Sequence, residues 1–141
     1  MIRNMFPSAF FALALLLTPA TANAQSDNNA ARGVITNQLE AFIARDFDLA
    51  YSFASDNIKG IFPTVEQFMA MVEGGYLPVL RPGNYAFGNT ENLTEGRIKQ
   101  DLLIRAPDGS DWTAIYYMQR QPDGSWKIDA VNLRKGAAGM T

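Results

Sequence analysis

The chain has 141 residues and a formal net charge of −2, and 48% of its residues are hydrophobic, which is enough apolar material for one core. It contains no Cys and no His, which excludes disulfides, thiol nucleophiles, Ser-His-Asp triads and the usual zinc sites. A mildly acidic chain without a basic run is a poor candidate for binding nucleic acid or an anionic membrane. We therefore expect no cofactor, no metal ion and no nucleic-acid partner.

Residues 1–24 have the order of a secretory signal peptide. Arg3 precedes an apolar run, and the small-x-small site Ala22-Asn23-Ala24 follows that run. The run is too short and wrongly flanked for a membrane-spanning helix, so an uncleaved anchor is the weaker alternative. We expect cleavage after Ala24, a periplasmic or secreted protein, and a single domain over residues 25–141 with no stable membrane span.

The first half of this domain is predicted to be helical. Asp27 or Asn28 is available as the N-cap of a first helix. The apolar residues at helical spacing in this helix are Ile35, Leu39, Phe42 and Ile43. Asp46 is the expected N-cap of a short second helix, FDLAYSFAS, which precedes a turn near Asp56-Asn57.

The segment PTVEQFMAMVEGG carries the clearest helix signals. Thr64 and Gln67 form a T-x-x-Q capping box, and Gly74-Gly75 ends the helix. The apolar stripe of this helix consists of Val65, Phe68, Met69 and Val72. The two Met residues of the helix could line a ligand pocket, but we interpret them as core filler.

The second half of the domain is predicted to consist of antiparallel strands. After an irregular segment, YLPVLRPGN, the sequence alternates from Ala86 onward and is interrupted by TEG and by two PDG triplets. In a three-residue hairpin loop a type I turn is followed by a left-handed residue, a position that Gly fills. We therefore interpret both PDG triplets as hairpin loops, which sets the register of the strands on either side.

The predicted register gives the sheet one apolar face for the helices to cover. It places Gln100 opposite Tyr116 and Tyr116 opposite Ala130, with Asn132 nearby. Polar side chains beside a small residue on an apolar face are typical of a pocket floor, although a buried hydrogen bond between Gln100 and Tyr116 is the alternative. The candidate ligand-binding residues are Gln100, Trp112, Tyr116, Ala130 and Asn132.

The opposite face of the sheet is predicted to face solvent. Asp129 lies beside Tyr117 on this face, and we interpret it as a surface carboxylate because exposure leaves no desolvation to tune an acid–base pair. An apolar patch inside a polar rim on the same face indicates a homodimer contact. The residues of this patch are Leu103, Ile115, Val131 and Leu133.

Three segments carry a resemblance to a known family. FDLAYSFAS, PTVEQFMAMVEGGY and WTAIYYMQRQPDGSWKIDAVNL are similar to domain of unknown function 4864, and the similarity extends from Ile35 to Leu133. The chain also resembles the nuclear-transport-factor-2-like superfamily, which includes SnoaL-like and ketosteroid-isomerase-like proteins. The resemblance implies an α+β fold in which N-terminal helices pack on a curved antiparallel sheet to form a cone. It implies no particular activity, since this fold hosts many functions.

Three hypotheses about function follow from these patterns. We favour a non-catalytic domain that holds a small apolar or amphipathic ligand in the cone or serves as an interaction module, because the apolar face offers no conventional nucleophile. The second hypothesis is an isomerase- or dehydratase-type enzyme with Tyr116 as hydrogen-bond donor and Asp46 or Asp48 as base. The third is a structural homodimer whose cone is filled by side chains.

Overall fold

The structure, a computed structural model, describes Ala12 and residues 20–137. Over these residues five helices precede four strands, so the fold class is α+β, as predicted. The elements are α1 (Ala20–Ile43), α2 (Phe47–Ser52), α3 (Asp56–Ile61), α4 (Val65–Gly75), α5 (Leu77–Leu80), β1 (Asn84–Asn92), β2 (Arg97–Arg105), β3 (Asp111–Arg120) and β4 (Trp126–Lys135). Most of the predicted signal peptide lies outside the described residues.

Helix α1 turns one apolar stripe towards the core. The buried residues of this stripe are Ala31, Ile35, Leu39 and Phe42. Ile43 is 52% exposed, because it lies about 100° around the helix axis from Phe42. The predicted N-cap at Asp27 or Asn28 is wrong, since α1 begins at Ala20 and the Ala-containing segment before Asp27 continues the helix.

Helix α1 ends at a left-handed residue that is not glycine. Arg45 has a φ of 59°, and the N–H of Asp46 donates to the carbonyl of Ala41 at 2.8 Å across the end of the helix. This pattern is a Schellman-type C-cap. It leads the chain directly into α2, where Asp46 is the predicted N-cap and accepts from the N–H of Leu49 at 3.2 Å.

The next two helices begin at hydroxyl N-caps. Thr64 Oγ1 accepts from the N–H of Gln67 at 3.1 Å, which confirms the predicted start of α4. Ser55 Oγ accepts from the N–H of Ile58 at 3.4 Å and begins α3, where we predicted only a turn. The prediction missed α3 because Asp and Asn, which open this helix, favour turns as well as helix starts.

The four strands form one antiparallel sheet in the order β1-β2-β3-β4. Both PDG loops have the predicted hairpin geometry, since Gly109 and Gly124 have φ of 86° and 87°, the region that favours glycine. The aspartates before them, Asp108 and Asp123, each accept from the hydroxyl and the backbone N–H of the serine that follows the glycine. These bonds lower the pKa of both carboxyls, and the bond from the serine hydroxyl makes the largest contribution.

The β2–β3 register is as predicted, but the predicted β3–β4 register is wrong beyond Met118. Met118 pairs with Ile128 and Tyr117 pairs with Ala130, so Asp129 is an extra residue that forms a β-bulge. A bulge reverses which face each later residue occupies. The alternation does not reveal it, because the segments on both sides of the extra residue still alternate.

The bulge moves the last part of β4 to the faces opposite those predicted. Ala130 and Asn132 are exposed, whereas Val131 and Leu133 are partly buried and pack against the core. The predicted outward patch therefore loses two of its four residues. Ile115, which stays on the outward face, is only 3% exposed. The homodimer contact stays a prediction, with a smaller apolar surface than the sequence indicated.

The core lies between the helices and one face of the sheet. Its largest fully buried hydrophobic residues are Ile35, Leu39, Ile98, Leu102, Ile104, Tyr116, Met118 and Ile128. Bulges in β1 and β4 curve the sheet around this core. None of the helices in residues 20–137 has the length and hydropathy needed to cross a membrane.

Candidate ligand-binding site

The five residues that the sequence predicts as ligand-binding do not lie together in the structure. Gln100 and Tyr116 are fully buried in the sheet. Ala130 and Asn132 are exposed beyond the bulge, and Trp112 is partly buried beside a separate surface groove. Ala130 is the member of this set that lines the cavity described below.

Gln100 fills the β-bulge of β1. Its Nε2 donates to the carbonyl oxygens of Gly88 and Asn89, which form the bulge, at 3.3 Å each. Its Oε1 accepts from Arg32 Nε at 3.1 Å and from the hydroxyl of Thr90. The fold itself therefore satisfies both ends of this amide, and a ligand is not needed to explain its burial.

The hydroxyl of Tyr116 is buried and forms no hydrogen bond with any residue that the structure describes. The alternative interpretation, a buried hydrogen bond between Gln100 and Tyr116, is therefore wrong. Desolvation by burial raises the pKa of Tyr116 far above its usual value, so the phenol stays protonated. Asp46 and Asp48, the hypothetical catalytic bases, are exposed at the start of α2. In the described part of the chain these groups do not line a common cavity.

A cavity of about 230 Å³ lies between helices α1, α3, α4 and α5 and the bulged strand β4. The lining residues are Gln38, Phe42, Ile58, Phe62, Phe68, Met71, Val72, Tyr76, Val79, Ile128, Ala130 and Val131. Apart from Gln38 and the hydroxyl of Tyr76, this lining is apolar. Among the described residues no charged side chain belongs to it.

The cavity has a buried floor and a more exposed rim. The floor residues, none more than 4% exposed, are Gln38, Phe42, Phe68, Val72, Val79 and Ile128. The rim residues are Ile58, Phe62, Met71, Tyr76, Ala130 and Val131. The interpretation of both Met residues of α4 as core filler is confirmed for Met69, which is buried. Met71 is partly buried and packs against the core, but it also lines the rim of the cavity.

Asp129, the extra residue of the β4 bulge, positions the α3 wall of the cavity. Its Oδ1 accepts from Ser55 Oγ at 2.8 Å and from Asn57 Nδ2 at 3.1 Å. Its Oδ2 lies 3.4 Å from Arg97, and the N–H of Ser55 donates to the carbonyl of Ile128 at 2.8 Å. The side chain that we interpreted as a surface carboxylate is thus 12% exposed and ties α3 to β4.

The hydroxyl groups near the rim are occupied by backbone carbonyls. Tyr51 donates to the carbonyl of Phe62 at 2.6 Å, and Tyr76 donates to that of Val131 at 3.0 Å. These bonds fasten the end of α3 and the end of α4 in place. With these two hydroxyls paired, Gln38 is the polar side chain of the buried floor whose hydrogen bonds are still to be described.

The sequence placed several floor residues on core-facing stripes without indicating a cavity. Phe42, Phe68 and Val72 lie at helical spacing, and this spacing is the same whether the space they face is filled or empty. A weak signal was present in the composition of the helical half, where large aromatic residues recur in α1, α2 and α4. The empty volume itself depends on how α3 docks, which the prediction missed.

One known protein family matches most of the chain. The family model described as Domain of unknown function (DUF4864) matches residues 24–141. The chain belongs to the DUF4864 family. The DUF4864 match includes every residue that lines the cavity, so the cavity belongs to the family domain. No curated protein and no solved structure matches the chain. Among the described residues, this DUF4864 domain has no group of three or more His, Cys, Asp or Glu residues that could hold a metal ion.

Proposed function

We propose that this DUF4864 protein is an exported, non-catalytic domain that binds a small apolar molecule in the cavity between its helices and β4. The observation that carries the proposal is the cavity itself, with its buried apolar floor and accessible rim. A concave, mostly apolar site with few polar groups is typical of small-molecule binding. The packing of helices on a curved sheet supports membership of the nuclear-transport-factor-2-like superfamily, which includes binding modules.

The volume of the cavity sets the size of the ligand. An engineered apolar cavity of about 150 Å³ holds benzene. A cavity of about 230 Å³ therefore has room for one ring with a few more carbon atoms, or for a short hydrocarbon chain. Binding is driven by the apolar surface that such a molecule removes from water.

The chemistry of the lining supports binding without catalysis. General acid–base catalysis needs a titratable group within hydrogen-bond reach of the substrate. Among the described residues no carboxylate, Lys or Arg lines the cavity, and the phenol of Tyr76 donates to a backbone carbonyl. The enzyme hypothesis, which requires Tyr116 with Asp46 or Asp48, draws no support from this arrangement. The hypothesis of a cone filled by side chains also draws no support, because a cavity with an accessible rim lies between the helices and β4.

Export is part of the same proposal. The apolar run and the Ala22-Asn23-Ala24 site support cleavage after Ala24. The DUF4864 match begins at residue 24, which supports the separation of the leader from the family domain.

Substitution of Ala130 by Trp tests the site directly. Ala130 is exposed at the rim, so a large side chain there narrows the entrance without overpacking the core. We expect Ala130→Trp to weaken the binding of naphthalene by about tenfold or more, which is about 1.4 kcal/mol, while the melting temperature stays close to that of the wild type. Naphthalene fluorescence in a titration measures the affinity, and circular dichroism measures the melting temperature.

Asn132→Trp is the matched control for this experiment. Asn132 is exposed on the same strand two residues further on and is not part of the cavity lining. We expect this variant to bind naphthalene as the wild type does. A wild-type protein that takes up no naphthalene, or equal weakening by both substitutions, contradicts the proposed site.

A further inference from the structure

Among the described residues, the floor of the cavity contains one polar side chain, that of Gln38. This residue is 4% exposed and lies on α1 among aromatic and aliphatic neighbours. Burial of an amide is unfavourable unless its donor and acceptor groups are both satisfied. The hydrogen bonds of Gln38 therefore indicate what kind of ligand group the floor can accept.

A backbone carbonyl fixes the orientation of the Gln38 amide. Nε2 donates to the carbonyl oxygen of Ala50 in α2 at 3.2 Å. A carbonyl cannot donate, so the atom of Gln38 that faces it must be the nitrogen. Ala50 is fully buried and does not line the cavity, so this bond is made away from the ligand space. The oxygen, Oε1, is held on the other side of the amide.

Oε1 is left as an acceptor. Within the described part of the chain Oε1 receives no hydrogen bond, although the nitrogen of the same amide does form one. Gln38 lines the cavity, and its nitrogen is turned towards Ala50, which does not line it. Oε1 is therefore the polar atom of Gln38 that is left for a ligand in the cavity.

We infer that the ligand is an uncharged, mostly apolar molecule with one hydrogen-bond donor, a hydroxyl or an N–H, which binds Oε1 of Gln38. The inference rests on the proposed function and adds the chemical class of the ligand. A cation does not fit, because among the described residues no carboxylate lines the cavity to compensate it. An anion does not fit, because a carbonyl oxygen repels it and no Lys or Arg belongs to the described lining.

The test compares two probes of nearly the same shape, para-cresol and para-xylene, in which a hydroxyl replaces a methyl group. Calorimetry gives the affinity of each probe for the wild type and for Gln38→Met, and the quantity compared is the ratio of cresol affinity to xylene affinity. Loss of one neutral hydrogen bond should lower this ratio by about threefold to tenfold in Gln38→Met. Gln67→Met, the same substitution at an exposed glutamine of α4 outside the cavity lining, should leave the ratio unchanged.

Gln38→Met also removes the donor to Ala50, so a second measurement keeps the test independent of that variant's stability. In wild-type protein the side-chain amide resonances of Gln38 should shift on addition of para-cresol and shift much less with para-xylene. Two outcomes overturn the inference and leave the cavity proposal intact. In the first, both probes bind and the ratio of cresol affinity to xylene affinity is the same in wild type and Gln38→Met. In the second, the two probes shift the Gln38 amide resonances equally. Binding of neither probe to wild type contradicts the proposed function itself.

Discussion

At the scale of single residues, Tyr116 combines complete burial with a hydroxyl that has no partner among the described residues. Its ring fills the core next to β2 and β4, and its hydroxyl is desolvated without compensation. The aromatic ring therefore stabilises the fold while the hydroxyl opposes it. The sequence indicated the burial of Tyr116 correctly, whereas the hydrogen bond to Gln100, one of the two alternatives it left open, does not form.

Tyr116→Phe removes this hydroxyl and keeps the ring. We expect the free energy of unfolding to rise by about 1 kcal/mol, because the desolvation cost of an unpaired buried group disappears. Urea denaturation measures the change. Tyr117→Phe, on the outward face and only partly buried, should have a much smaller effect. A destabilised Tyr116→Phe protein would mean that the hydroxyl is paired in solution.

The hairpin aspartates give the stability a pH dependence with a defined sign. The pKa of Asp108 and that of Asp123 lie below the ordinary 3.8 in the folded chain, because a serine hydroxyl and then a backbone N–H donate to each carboxylate. As the pH falls, these carboxylates take up protons in the unfolded chain before they do so in the folded chain. The stabilisation of the folded chain that is present above about pH 4 is therefore lost as the pH falls through the folded-state pKa values.

Asp123→Asn tests this dependence at one loop. The amide oxygen of Asn accepts the same bonds but does not titrate in this range. We expect the urea midpoint of Asp123→Asn to fall less steeply than that of the wild type between about pH 4 and pH 2. Above about pH 5 the two proteins should show parallel pH profiles. Parallel profiles below pH 4 as well would contradict the assignment.

At the scale of elements, two β-bulges decide where the functional surfaces lie. The bulge of β1 is filled by the amide of Gln100, and that of β4 places Asp129 against the start of α3. Capping residues identified the starts of α2 and α4, and the PDG loops identified the adjoining ends of β2, β3 and β4, because these signals are local. The bulges escaped prediction because they depend on contacts between segments that are distant in the sequence. Helix α3 escaped because the Asp-Asn pair that opens it also suits a turn.

Asp129→Ala should loosen the α3 wall. It removes the acceptor of Ser55 and Asn57 and the partner of Arg97, so we expect the free energy of unfolding to fall by about 1–3 kcal/mol. Hydrogen exchange should accelerate first in residues 56–61. Glu91→Ala, which removes an exposed ion pair at 3.9 Å, is the control and should change stability by less than about 1 kcal/mol.

At the scale of the whole molecule, the cavity exists because four helices and a bulged strand do not close completely on one another. The α+β class, the helix-covered sheet and the DUF4864 family were all predictable from the sequence. The cavity was not, since its lining comes from α1, α3, α4, α5 and β4 and its volume is a difference between packed surfaces. Of the predicted site residues Ala130 lines it, as an exposed residue of the rim.

Cleavage of the leader is a prediction about the intact molecule. Expression with the native N-terminus in a Gram-negative host should yield periplasmic protein that begins at Gln25, because Ala22-Asn23-Ala24 is a small-x-small site. Mass spectrometry of the intact protein gives its first residue. Replacement of Ala24 by a bulky residue should leave the precursor uncut, and a wild-type protein that retains Met1 contradicts the prediction.

The bond between Ser55 and Asp129 joins residues that are 74 positions apart in the chain. Closing a loop of that length carries a large entropic cost, whereas the β2–β3 and β3–β4 hairpins are local and can form early. We therefore expect α3 to dock after the sheet has assembled, so that the cavity is among the last parts of the molecule to form during folding. A ligand bound there should then slow unfolding and leave the folding rate nearly unchanged.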